Sequence, residues 1–581
     1  MRVRSVREYI RTSLRGLSRG GRLALGLISL LVSFCAVFGC SYVIGQGYPA
    51  LPLPLELVLA AVLTCVVAQL LLFLESWIAK LAYRAACGEV GRLGRFVPAW
   101  NARSILLFAA IMALFWLPWA IANFPGSTYW DTYYQMYQVY PENHPISIIP
   151  WEEIAGKTHT DAYLVDHHPV FTTLVYGAFA LASDMLTGDW MAGVFCFTTL
   201  QGIAHVFVFT LSVAYLRHIG CPNVVCLGCY LYFCVAPFIS TWALCMVKDS
   251  FFGLFFMLYM LLLCEIVRTQ GAALSRKSIV VAFCLCALML CLTKKTGLFV
   301  VVPTAVVLAA IYRAHVLAAL SQGVVCVAIM CLALPLIVFP AFNIAPGGVQ
   351  EALGPLFQQT ARVVKDHPED ITAHEQDVIE EVLDFDKLAD EYAFDFEDAV
   401  KYRYNLDASG EDIAAYLQVY ISQGLRHPDS YFGAWMGLAG FYVAPCAYAN
   451  IRMVTVDTKM GSPARPMLWN PDELDGYRLA MDGAYRTVAS IPVLDLPLLI
   501  VTYAFWLPSI CLFVALVRRV KIGVLFVPFL VLLGFCIIAP VYDARYVVPI
   551  FDAVPLLFAM LVRGLRPLPE GCFGQSLPVR T

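Results

Sequence analysis

Charge is scarce in this chain. Asp, Glu, Lys and Arg supply 14% of its 581 residues, against about 25% in soluble domains, whereas 60% are hydrophobic and the mean hydropathy is +0.72. Those proportions exclude a water-soluble globular protein. An excess of one sign is missing as well: 39 Lys and Arg against 42 Asp and Glu leave a net charge of −3, which excludes a nucleic-acid binder held by a global positive field. There are 20 cysteines, yet polar stretches hold almost none of them. Cys35, Cys65, Cys196, Cys284, Cys286, Cys326, Cys536 and the Cys226/Cys229 CxxC all lie within apolar runs, so they read as small core residues and not as a disulfide scaffold. Internal repeats, low-complexity tracts and internal symmetry of the transporter kind are absent from the sequence.

What abounds is the long apolar run, of which about 20 residues make one membrane span. Seven arginines (Arg2, Arg4, Arg7, Arg11, Arg15, Arg19, Arg22) and one acid precede a run from Leu23 to about Gly45. No small-residue cleavage site stands out and a second run begins at Leu55, which predicts an uncleaved anchor with a cytoplasmic N-terminus. Twelve further segments lie at about 55–78, 104–123, 169–186, 191–213, 223–245, 251–267, 279–293, 298–312, 317–339, 491–516, 522–540 and 547–562. Thirteen crossings would leave the C-terminus outside, but Arg563 and Arg566 follow the last segment and Arg518, Arg519 and Lys521 mark another inside turn. Segment 169–186 resolves the conflict. It is short, carries Thr172, Thr173, Tyr176, Ser183 and Asp184, and has no cation at its far end, so it is expected to lie in the outer interface or to re-enter. The alternative is that it spans and the charge rule is broken once, at Arg217.

The expected fold class is an all-α polytopic membrane protein with about 12 transmembrane helices. Its divisions are a basic cytoplasmic N-terminus (1–22), three spans (23–123), an outer loop (124–190), six spans (191–339), an acidic outer helical domain (340–490), three spans (491–562) and a cytoplasmic tail (563–581). Within 341–430 there are 19 acids against 6 bases, interleaved with periodic apolar positions such as Ile413, Leu417, Tyr420 and Ile421 that predict amphipathic helices. Residues 431–449 are apolar, but a crossing there would flip the orientation, so they are expected to form an interfacial helix. The outer segments hold one clear cysteine, Cys446, so no disulfide is expected to brace them.

Ionisable groups near membrane depth are functional candidates, because a charge at a helix centre costs on the order of 3 kcal/mol. Five charged islands fall at the outer ends of different helices: Asp131, Asp166-His167-His168, Lys248-Asp249, Lys294-Lys295, and Asp543 with Arg545. A convergent site is the economical explanation. Each island also has a plainer role. Asp131 suits a helix N-cap, Lys248-Asp249 a pair capping a helix end, and Tyr129 to Tyr140 an interfacial aromatic belt with sugar stacking as its competing use. His167 and His168, with His144 or Asp166, suit either local hydrogen bonding or a metal. Two adjacent cations at 294–295 on the outer side run against the positive-inside bias.

Taken together, the acidic outer loop at Asp131, the His-His-Pro-Val stretch at 167–170, the Lys-Asp pair at 248–249 and Ala-Arg-Tyr-Val-Val-Pro at 544–549 resemble the GT-C class of membrane glycosyltransferases. Leu-Phe-Gln-Gln-Thr-Ala-Arg-Val-Val at 356–364 and His-Pro-Asp-Ser-Tyr at 427–431 look like a bacterial polytopic membrane family with no assigned activity, over most of residues 104–562. The GT-C resemblance implies transfer of a sugar from a polyprenyl-phosphate donor to a cell-envelope glycan or protein acceptor, with inversion, at a bacterial plasma membrane with both termini cytoplasmic. Many GT-C enzymes carry two acids around one residue in the first loop; Trp130-Asp131-Thr132 offers one, which leaves metal dependence open. The roles that follow are Asp131 as base, assisted by Asp249, and Lys248, Lys294, Lys295 and Arg545 on the donor phosphate. Tyr133, Tyr134, Gln135, His167 and His168 are assigned to the acceptor. A divalent metal, if used, would take Asp249, His167 or His168. Two other classes compete: a transporter or lipid-linked-sugar flippase, and a non-catalytic scaffold presenting the acidic domain.

Overall fold

A computed structural model of the chain describes residues 16–86, 91–140, 162, 164–449, 471–539 and 541–565. The arginine-rich start before residue 16, His144 and Arg566 lie outside them. The chain begins with α1 (Arg19–Ile44), α2 (Leu53–Ala86) and α3 (Ala102–Ala122), followed by strand β1 (Ser127–Thr128), α4 (Trp130–Tyr137) and strand β2 (Leu164–Asp166). Next come α5 (Val170–Thr187), α6 (Met191–His218), α7 (Asn223–Val235), α8 (Pro237–Ala243), strand β3 (Cys245–Met246) and α9 (Lys248–Arg268). Helices α10 (Lys277–Thr293), α11 (Gly297–Ile311) and α12 (Arg313–Ala341) lead to strand β4 (Ile344–Pro346). A polar group of helices follows: α13 (Gln350–Asp366), α14 (Ala373–Glu380), α15 (Phe385–Glu391), α16 (Asp398–Lys401), α17 (Gly410–Arg426) and α18 (Pro428–Val443). The chain closes with α19 (Asp475–Ala489), α20 (Thr502–Arg518), α21 (Gly523–Cys536) and α22 (Ala544–Gly564).

The protein is a mainly helical membrane protein, and each of the apolar segments read from the sequence is helical. The span count differs from the expected twelve. Among the described residues eight helices are long and apolar enough to cross, or nine if α7 and α8, bent by 60°, are one broken span. The apolar helices α10, α11, α20 and α21 have 10–17 residues; at about 1.5 Å per residue they fall short of the roughly 30 Å hydrocarbon core. Helix α5, expected at the interface, does qualify. The polarity that argued against a span there is turned inward: Thr172 and Thr173 are buried and accept from the Gln135 side-chain amide at 2.5 and 3.2 Å.

The stretch 431–449, expected as an interfacial helix, is helical as far as Val443, in α18. Helix α18 is buried along most of its length and crosses α1 closely. A Cβ on Gly39 would lie 2.6 Å from the Ala444 Cβ and 3.3 Å from the Gly440 Cα. Small residues on both helices permit that approach, as in membrane helix pairs. Helices α13 to α18 enclose a core of their own, built on Phe357, Ile379, Leu383, Leu388, Tyr416 and Val419. Capping boxes at Thr372/Glu375 and Ser409/Asp412 start α14 and α17. All 18 cysteines among the described residues are free.

Two parallel two-stranded pairs tie these parts together. β1 lies beside β3 with Thr128 opposite Met246, and β2 lies beside β4 with Asp166 opposite Pro346. Arg478 of α19 is buried and donates to the carbonyls of Ala122 (2.9 Å) and Phe124 (3.1 Å), which satisfies backbone groups left over at the end of α3. The turn leading into β1 is thereby held by α19.

Candidate functional site

The β1/β3 register decides what meets at one end of the bundle. Asp131 stands three residues after Thr128 in the first turn of α4, and Lys248 two residues after Met246 at the start of α9. Their side chains meet with Lys248 Nζ 2.7 Å from Asp131 Oδ2. Arg545 arrives from the turn that opens α22 and sets Nη1 2.7 Å from the same oxygen. His168, two residues after β2, brings Nδ1 to 2.8 Å from Lys248 Nζ and 4.0 Å from Asp131 Oδ2. One carboxylate thus holds two cations with a histidine beside it, although the four residues are spread over 131 to 545.

A second pair adjoins the first. Asp249, fully buried, takes the ammonium of Lys294 from the end of α10. Lys294 Nζ and the Arg545 guanidinium lie 5.0 and 4.9 Å from the centroid of the Tyr546 ring. Arg545 also lies 4.4 Å from the centroid of Tyr129, whose hydroxyl donates to Asp543. Asp543 caps the α22 turn by accepting from the Arg545 backbone N–H at 3.0 Å. Lys295 turns to Asp166, with Nζ 2.9 Å from Oδ2, and His167 Nδ1 stands 3.7 Å from Glu351 of α13. Glu351 in turn pairs with Lys401 of α16 at 2.9 Å, so the polar helices reach the rim of the cluster.

Four carboxylates (Asp131, Asp166, Asp249, Asp543) face four cations (Lys248, Lys294, Lys295, Arg545), a balance of zero. Taking ions out of water costs several kcal/mol each, and close opposite charge offsets that cost. Burial alone would raise the Asp131 pKa, but Arg545 and Lys248 outweigh it and hold the carboxyl well below its usual range. Burial, reinforced by Lys248, pushes the His168 value well below 6.5, so the ring is neutral at pH 7. Asp166 is raised by burial, with Lys295 opposing.

All of Asp131, Lys248, Asp249, Lys294 and Arg545 therefore belong to one cluster, with His168 inside it and Lys295 and His167 on its rim. The metal candidates Asp249 and His168 each face a lysine. Gln135 and Tyr133 face the neighbouring helices. Gln135 bonds α5, and Tyr133 packs in the cluster of Met136, Tyr176 and Trp190. Tyr134 is half-buried at the edge of that cluster. Sequence reasoning named Asp543 as part of the island with Arg545 and Tyr129 within the 129–140 aromatic cluster, but gave neither a role at the site and did not single out Tyr546; its adjacency to Arg545 was the signal available, and aromatic residues are too common here for adjacency to single one out.

The chain matches the family of unknown function DUF6020 over residues 17–567, and it belongs to that family. No curated protein and no solved structure matches it.

Proposed function

We propose that the protein is a GT-C-type glycosyltransferase that moves a sugar from a polyprenyl-phosphate donor to a cell-envelope acceptor on the outer face of a bacterial plasma membrane, with both termini inside. The observation that carries this reading is the pair of cations, Lys248 and Arg545, each 2.7 Å from one oxygen of Asp131. With both cations at hand Asp131 is a poor base, its carboxyl held well below the usual range. A donor phosphate that draws Lys248 and Arg545 onto its own oxygens removes those counter-charges, and the basicity of Asp131 rises as the substrate seats.

The step then balances. Asp131 takes the proton of the acceptor hydroxyl, that oxygen forms a bond to the anomeric carbon, and the bond from that carbon to the phosphate oxygen breaks with its electron pair going to the leaving polyprenyl phosphate. Lys248, Arg545 and Lys294 stabilise the charge that grows on the phosphate. His168, neutral, orients Lys248. Asp131→Asn should abolish transfer, measured with membrane-embedded purified protein and a polyprenyl-phosphate sugar, while the variant still inserts and folds; retained transfer sinks the assignment.

One observation favours the flippase or transporter alternative. Asp552 is buried inside α22, its Oδ2 2.6 Å from where a Cβ on Gly253 would stand, and ionisable groups at such positions mark ion or substrate paths. Under that reading Lys294→Ala/Lys295→Ala alters lipid-linked-sugar movement and no glycosidic product forms with either protein; under the transferase reading the pair removes product.

A further inference from the structure

The polar helices hold a second constellation that the function above does not use. The dipeptide His-Pro occurs at 367–368 and at 427–428, each time where a helix stops. Proline disfavours helical geometry in the residue before it, so both histidines leave the helix with nearly the same backbone: φ −136°, ψ 50° for His367 after α13 and φ −124°, ψ 60° for His427 after α17. The two rings stack with centroids 4.1 Å apart. Asp370, in the short turn after His367, brings Oδ2 to 3.5 Å from His427 Nε2.

We infer that His367, Asp370 and His427 form a binding site for a divalent first-row transition ion, of which Zn2+ is the best match. One potential ligand atom from each residue lies within 4.8 Å of those of the other two. Bonds of about 2.0–2.2 Å at tetrahedral angles put neighbouring ligand atoms roughly 3.4 Å apart, a spacing that the His427–Asp370 pair already has. The two rings, stacked and nearly parallel, turn on binding so that the in-plane lone pair of His367 meets that of His427 at one ion. A second observation points the same way: His427 is 8% exposed, and its Nε2 is buried with no hydrogen-bond partner although it faces the carboxylate. Such a nitrogen is costly to leave unsatisfied, and a metal satisfies it.

The donor set suits the ion. Two imidazoles and a carboxylate are borderline ligands that select zinc-like ions over calcium or magnesium. Arg426, the residue before His427, is paired with Glu375 and donates to the Asp370 carbonyl at 3.0 Å, so its charge is compensated beside a bound ion. The Asp370 side chain is 53% exposed, which opens the site to solvent, and water completes the coordination. A bound ion would pin the ends of α13 and α17 to the start of α18, the helix that docks on α1.

The test uses the full chain in detergent, free of any histidine tag, dialysed against chelator and titrated with Co2+ and with Zn2+. The expected result is one equivalent of Co2+ with the visible absorption of a site of low coordination number, displaced by Zn2+, together with a rise in unfolding temperature on adding Zn2+. Asp370→Asn is isosteric and exposed, so it keeps the fold; it should weaken binding by more than about tenfold, and His427→Gln should remove the absorption. No such absorption in the wild type, or an unchanged titration in Asp370→Asn, overturns the site. In the first case the three residues make a histidine stack with a carboxylate beside it and no ion site. Because His367 and His427 are remote in role from Asp131, loss of metal binding and loss of sugar transfer are separately readable.

Discussion

Two regions of this molecule are charged, and they are charged in opposite ways. The stretch 341–430 carries 19 acids and 6 bases, yet many of them do local work: Thr372/Glu375 and Ser409/Asp412 cap helices, and Arg403 pairs with Glu391 at a partly exposed position. The cluster around Asp131 has four carboxylates and four cations, most of them buried, drawn from five separated parts of the chain. Charge density is thus a poor guide to a site. Charge that is buried and balanced across distant segments is the better one, since each ion there is held only because its partner is.

The contrast can be broken at adjacent residues. Lys294→Ala leaves Asp249 buried without its cation and should cost about 3–5 kcal/mol of stability, whereas Lys295→Ala removes a half-exposed pair with Asp166, 46% exposed at the lysine, and should cost under about 1 kcal/mol once solvent screening is counted. Detergent-solubilised thermal unfolding of the two single variants measures this; equal losses would erase the distinction between buried and rim ions.

The regions should also answer pH in opposite senses. His168 is lowered in the folded state by burial and by Lys248, so its contribution is intact above the unfolded value of about 6.5 and is lost as pH falls toward the folded one, by up to about 1.4 kcal/mol per unit. Glu397, at the start of α16, is raised to about 8 by burial against the opposing pull of Lys401. Its contribution is present below the unfolded carboxylate range near 4.5 and is lost as pH rises through about 8. His168→Gln should therefore flatten the rise in stability up to about pH 6.5, and Glu397→Gln the fall in stability between about 4.5 and 8. The smallest effect is expected at a cap: Ser409→Ala removes the acceptor for the Asp412 backbone N–H, which is 3.2 Å from the hydroxyl, for about 1 kcal/mol, read as a shift in unfolding of α13 to α18 with no change at the Asp131 cluster.

Much of the site was legible because an apolar chain makes its exceptions conspicuous. Asp131, Lys248, Asp249, Lys294 and Arg545 stand out as charges at the ends of apolar runs, and all five meet. Gln135 lies one helical turn after Asp131, and its amide nitrogen is turned to Thr172 and Thr173, a contact that sequence order does not show. The aromatic rings of Tyr129 and Tyr546 against Arg545 were invisible among so many aromatics. The His367–His427 stack was invisible too, because a 60-residue separation has no periodic signature.

The sequence by itself determined that this is a helical membrane protein and where its apolar helices run, since hydropathy is a property of consecutive residues and each helix satisfies its own backbone. It also determined which few side chains are expensive to hold near the hydrocarbon. Only the tertiary structure decided who neutralises whom. Pairing Asp131 with Lys248 and Arg545, Asp249 with Lys294, and α18 with α1 depends on strand register and close helix approach between segments well separated in the chain, 45 residues for the nearest pair. Coulomb attraction and packing act on distance in space, which the order of residues does not carry.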